Sequence, residues 1–152
     1  MPALKFKLQS VLDYREQIVD LRQGELVELE QKLQAEQLVL AALRERIADL
    51  ADDIRESQEA GNLNCTELNY KLAYMEQLEE REEAQVARVQ ECRRLREAKR
   101  LELMQAAQDK QVLEKLKDRH LEEQRAEELY RENQMLDEIS VVRFHRNAGS
   151  ES

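Results

Sequence analysis

Residues 12–57 read LDYREQIVDLRQGELVELEQKLQAEQLVLAALRERIADLADDIRES, and a walk along them in alternating steps of three and four decides the fold. The steps land on Leu12, Arg15, Val19, Arg22, Leu26, Leu29, Leu33, Glu36, Leu40, Leu43, Ile47, Leu50, Ile54 and Ser57. Every first position of this repeat is aliphatic, which holds one apolar stripe on one side of a helix and defines a coiled-coil seam. The second positions mix Leu with Arg15, Arg22 and Glu36, so the seam is uneven. Val11, Ile18 and Val39 lie beside the stripe and widen it. Gly24 is the one weak link, costing about 1 kcal/mol relative to Ala in an exposed helix.

The repeat stops at EAGNLNCTELN, residues 59–69. Gly61 suits the left-handed conformation that ends a helix, and Asn64 with Glu67 three residues on reads as a capping box for the next one. From Thr66 no Gly or Pro occurs before Gly149, so a second helix of up to about 78 residues, roughly 115 Å long, is sterically permitted. The first, of about 50 residues, reaches some 75 Å. A short connection between long helices makes them antiparallel neighbours. The expected fold is therefore all-α: one coiled-coil domain with helix 1 over about 4–59, a turn over about 60–65, a longer helix 2 over about 66–144 and a flexible tail over 145–152. The stripe of helix 2 is read through Leu68, Leu72, Met75, Glu79, Glu82, Val86, Val89, Arg93, Arg96, Arg100 and Leu103. Its charges predict a poorly packed seam that bends and frays toward the open end.

Composition agrees with long helices. Aromatic residues make up 4% and there are only three Gly and one Pro, too few to build the core and turns of an ordinary globule of 152 residues. The regular spacing of Leu and Ile argues against disorder despite 38% charged residues. A net charge of −9 disfavours general affinity for nucleic acid or an anionic membrane surface. No apolar run approaches the roughly 20 residues of a membrane span, and the N-terminus lacks a signal-peptide core. Cytoplasmic localisation is the expectation. Charges fall in blocks along helix 2, acid-rich over 76–92, base-rich over 93–119 and acid-rich again over 120–138. Such blocks read as a solvated helix laced with i,i+4 pairs, or, for RRLREAKR at 93–100, as a basic band for an acidic partner.

Catalysis needs groups that converge in a pocket excluding water, and a two-helix hairpin offers none. His120, His145 and the exposed carboxylates are therefore read as non-catalytic, with no small-molecule substrate. Cys65 and Cys92 have no CxxC spacing and two His complete no zinc set, so no cofactor or metal is expected. Two apolar features remain. Tyr70, Tyr74 and Leu78 recur one turn apart after the turn and form a second stripe, either touching the bent-back loop or a second copy, or docking a partner. Near the end, NQMLDEISVVRFHRN at 133–147 gathers Met135, Leu136, Ile139, Val141, Val142 and Phe144 just before a polar tail.

FKLQSVLDYREQIVD at 6–20, the long heptad arm, LNYKLAYMEQLEE at 68–80 and NQMLDEISVVRF at 133–144 together resemble the FliJ family of flagellar type III export proteins. Related injectisome proteins have a similar rod. The resemblance implies a cytoplasmic coiled coil, similar to the central stalk of rotary ATPases and peripheral to the cell membrane at the flagellar base. It implies three partners: the hexameric flagellar export ATPase, whose ring assembly and hydrolysis it promotes, the cytoplasmic domain of the membrane export gate, and export chaperones. Onto this sequence it carries the ATPase contacts at the ends, Phe6, Leu8, Leu12 and Arg15 with Leu136, Ile139, Val142 and Phe144. The gate contacts fall in the tip half, at Tyr70, Tyr74 and Leu78. The opposite arm, LAALRERIADLADD at 40–53, carries no aromatic to match. Competing readings are a structural coiled coil that dimerises through its uneven seam, and a chaperone-like clamp.

Overall fold

A computed structural model of the protein describes residues 6–61 and 64–150. Two helices account for nearly all of them, α1 (Gln9–Glu59) and α2 (Cys65–Ser150), packed antiparallel with no strand among the described residues. Residues 4–5 of the expected first helix, 62–63 of the expected turn and 151–152 of the expected tail lie outside the described residues. α1 begins after a turn in which the Gln9 amide donates to the Phe6 carbonyl at 3.1 Å. It ends at Gly61, whose φ of 71° is the left-handed conformation a glycine adopts without steric cost.

Asn64 caps α2, its side-chain oxygen accepting from the Thr66 amide at 3.1 Å. The reciprocal half of the expected capping box does not form among the described residues, because the Glu67 carboxylate turns toward Lys71 Nζ, 3.9 Å away. At its other end α2 continues through Ser150 and does not stop near 144. Residues 145–148 contain no Gly or Pro to interrupt the backbone ladder.

The chain divides into two compact units, Met1–Val19 with Ala106–Ser152, and Asp20–Gln105. In the second unit a core cluster of Leu33, Leu40, Val89 and Cys92 is joined by half-buried Val86. Both α1 positions belong to the expected frame, and every position of that frame from Leu12 to Ser57 is buried or half-buried. The frame of α2 is different from expectation at every second step except Val86, which stays half-buried beside Gln85. Lys71, Leu78, Gln85, Cys92 and Lys99 face the seam, while Leu72, Glu79, Arg93 and Arg100 are exposed. Long lysine and glutamine stems can lie along an apolar seam and deliver their polar heads to its edge.

Those heads find partners across the hairpin. Lys71 Nζ lies 2.9 Å from Asp53 and donates to Ser57 Oγ at 3.2 Å. Arg44 reaches Glu82 at 3.8 Å and Arg22 reaches Glu102 at 3.7 Å, while Lys99 Nζ pairs with Glu25. Gln85, 4% exposed, is the buried polar residue of the unit; its amide donates to the Glu36 backbone carbonyl at 2.8 Å and to the Glu36 carboxylate. A satisfied polar pair with apolar seam positions on either side fixes register, since a slip of one heptad would bury each member against apolar neighbours. The charged seam positions thus join the helices in a defined alignment, where the sequence had suggested only poor packing.

In the first unit Leu12, Val19 and Ala106 are buried, and Arg15 lies 3.6 Å from Asp109. Phe6 and His120 meet with ring centroids 5.7 Å apart, tilted by 44°. Gln124 is the last half-buried residue of α2, and every residue from Arg125 to Gly149 is exposed.

Candidate partner-docking surfaces

Shallow grooves run along the described surface. One, of about 320 Å³, is lined by Lys32, Glu36, Arg88, Glu91, Cys92 and Leu95; another, of about 250 Å³, by Val11, Arg15, Asp109, Val112 and Leu113. Several of their charged groups are already engaged, Glu36 with Gln85, Glu91 with Arg94, and Arg15 with Asp109 within the second groove. Among the described residues no three His, Cys, Asp or Glu side chains gather as metal ligands would. The Cys92 thiol is buried in the core and Cys65 is exposed. His120 Nε2 is buried without a hydrogen-bond partner among the described residues.

Electrostatics are local pairings on a solvated surface. The Glu25 carboxyl is held below its ordinary range chiefly by the hydrogen bond from Lys99, then by Arg22, against the opposing cost of burial. Lys99 is raised by Glu25 and Glu102, and Lys71 by Asp53. Within the base-rich block, Arg94 and Arg100 are raised by Glu91 and Glu97, three residues earlier on the same helix. Much of the basic band is therefore neutralised along its own helix or by α1, which favours the solvated-helix reading of that block.

The residues expected at the ends divide. Leu12 is buried at 3% exposure in the seam and Arg15 is half-buried beside Asp109, so both hold the hairpin together. Phe6 is half-buried against His120, and Leu8 is exposed. On α2, Leu136, Ile139, Val142 and Phe144 are all exposed. They are not brought together with the N-terminal set, because the described N-terminal residues end beside His120 and Leu136 lies 16 residues further on, about 24 Å along the axis. Nor do the four share one face. Phe144 is five residues from Ile139, a rotation of about 140°, whereas Met135 falls between Ile139 and Val142 and completes their stripe. Sequence reasoning placed Met135 in the apolar cluster but missed its place on that face, which a helical wheel over residues 135–144 would have shown.

The tip-half stripe also needs correction. Tyr70 is 77% exposed and Tyr74 43%, but Leu78 is fully buried at 0%. Steps of four residues drift by about 40° each, so two steps from Tyr70 rotate Leu78 by roughly 80°, into the seam. The ion pairs Arg44–Glu82 and Asp53–Lys71 bracket it and set Ile47 and Leu50 opposite. Leu78 is a core residue, and the exposed feature is the tyrosine pair alone.

An antiparallel helical hairpin with a longer second helix, and with apolar residues left open on that helix, defines a coiled-coil class of protein. The family model described as "Flagellar FliJ protein" matches residues 4–149, and the chain belongs to that family. It is accordingly a component of the flagellar protein export apparatus, in a family of coiled-coil export components. No curated protein and no solved structure matches significantly. No helix among the described residues is long and apolar enough to cross a membrane.

Proposed function

We propose that the protein is the stalk-like coiled coil of the export apparatus, promoting ring assembly and hydrolysis by the hexameric export ATPase and linking it to the cytoplasmic domain of the membrane export gate and to export chaperones. It works at the cytoplasmic face of the membrane. The observation that carries this reading is the terminal part of α2, where Met135, Leu136, Ile139 and Val142 stay open on a folded helix. Helix-in-groove recognition uses anchors at this spacing, and a groove in the ATPase ring would cover them. Tyr70 and Tyr74, exposed near the turn, are the candidate gate contact.

The test removes residues 135–152. The full chain raises the hydrolysis rate and ring formation of the flagellar export ATPase, and the truncated chain loses both while keeping its helical hairpin by circular dichroism. Equal stimulation by the truncated chain would refute terminal docking.

A further inference from the structure

From Glu128, alternating steps of four and three reach Glu132, Met135, Ile139, Val142 and Arg146. On the continuous helix these six lie within a sector of about 80°, with Leu136 and Arg143 on one flank and Arg131 on the other. An apolar centre is therefore bracketed by two acids toward the N-terminal side and two bases toward the C-terminal side. Glu128, Glu132, Arg143 and Arg146 are all exposed, and none of them has an ion-pair partner among the described residues. Elsewhere on α2 some exposed charges pair within the helix, as Arg94 does with Glu91 and Arg100 with Glu97, and others, such as Arg88 and Arg93, do not.

The stripe is complementary to itself when reversed. About its midpoint near residue 137, Glu128 mirrors Arg146, Glu132 mirrors Val142 and its neighbour Arg143, and Met135 mirrors Ile139. We propose that a second copy of this chain covers the stripe, its own terminal segment running antiparallel. Glu128 and Glu132 then face Arg146 and Arg143 of the second copy, and the apolar residues close on one another along a twofold axis. A parallel pair would set acid on acid and base on base. A partner surface of one sign would complement only one end of the stripe. The paired length, about 27 Å, is short for a stable interface, so the pair is weak, concentration-dependent and sensitive to salt. On the functional reading above the same stripe serves the ATPase; self-pairing then keeps it covered until the ring competes for it, a consequence that rests on that reading.

Sedimentation equilibrium of the full chain over a range of concentrations tests the pair. The unaltered protein shows a rising average mass at low salt. The variant Arg143→Glu/Arg146→Glu and the variant Glu128→Arg/Glu132→Arg each remain monomeric alone, and an equimolar mixture of the two recovers the dimer, since every rung then joins opposite charges. A chain that stays monomeric at every soluble concentration overturns the proposal. So does self-association unaffected by either reversal, or a mixture that fails to recover it. Stimulation of the ATPase by the unaltered chain is read separately, so failure of that reading and failure of self-pairing are told apart.

Discussion

Replacing Leu78 with Ala separates the core of the second unit from its surface in one experiment. Leu78 is fully excluded from solvent, and the change removes three carbon atoms. At about 0.8 kcal/mol for each buried methylene the transfer loss is roughly 2.4 kcal/mol. A two-helix seam can close partly around the gap, which keeps the cavity contribution small and the total at about 2–3 kcal/mol, the lower part of the range for buried Leu→Ala changes. The slightly better helix propensity of Ala offsets only about 0.2 kcal/mol. Tyr70→Ala and Tyr74→Ala, at exposed positions, should stay within about 0.5 kcal/mol of the parent. Urea denaturation followed by far-ultraviolet circular dichroism reads all three, and hydrogen exchange in residues 68–82 localises the loss. A cost for Leu78→Ala below about 0.5 kcal/mol, or a tyrosine variant as damaging as Leu78→Ala, would refute the seam assignment and return Leu78 to the surface stripe.

The seam polar pair and the ion pairs give further expectations. Gln85→Leu leaves the Glu36 carboxylate without its amide donor and should cost about 1–3 kcal/mol in urea denaturation, while adding Glu36→Leu recovers the stability but admits slipped registers, seen as a broadened spin-label distance distribution between residues 33 and 89. For pH, the Glu25 carboxyl is depressed by Lys99, so its contribution is present above the ordinary value of 4.5 and is lost as pH falls through the lower folded value. Lys99 and Lys71 are raised, so theirs is present below 10.5 and is lost as pH rises through the higher folded values. Stability should form a plateau between those limits, and Lys99→Met should move the Glu25 titration, followed by NMR, back toward 4.5; an unmoved Glu25 would remove Lys99 as the cause.

The fold was legible where apolar periodicity was unbroken. In α1 an aliphatic residue at every first heptad position left one possible frame, and its polar members Arg15, Arg22 and Glu36 turned inward as the spacing required. In α2 the pattern favoured Leu72 over Lys71 and Val86 over Gln85, because hydrophobicity alone prefers the apolar neighbour. The deciding terms were instead cross-helix partners, Asp53 for Lys71 and Glu36 for Gln85, that no single-strand reading displays. The same frame error put Leu78 with the tyrosines. The apolar C-terminal cluster was visible as composition, but its division into a stripe and an outlying Phe144 required turning each residue by 100° around the helix, which a linear reading does not show.

The left-handed Gly61 has a kinetic meaning as well as a geometric one. Reversing the chain there makes the Lys71–Ser57 bond a closure over 14 residues, whereas Gln85–Glu36 spans 49. Closure entropy grows with loop length, so the hairpin assembles outward from the turn, each rung shortening the next search. Substitutions beside Gly61 then slow folding, and those at the far rungs mainly hasten unfolding. The length of chain closed at each rung, counted outward from the turn, sets the order in which the second unit comes together.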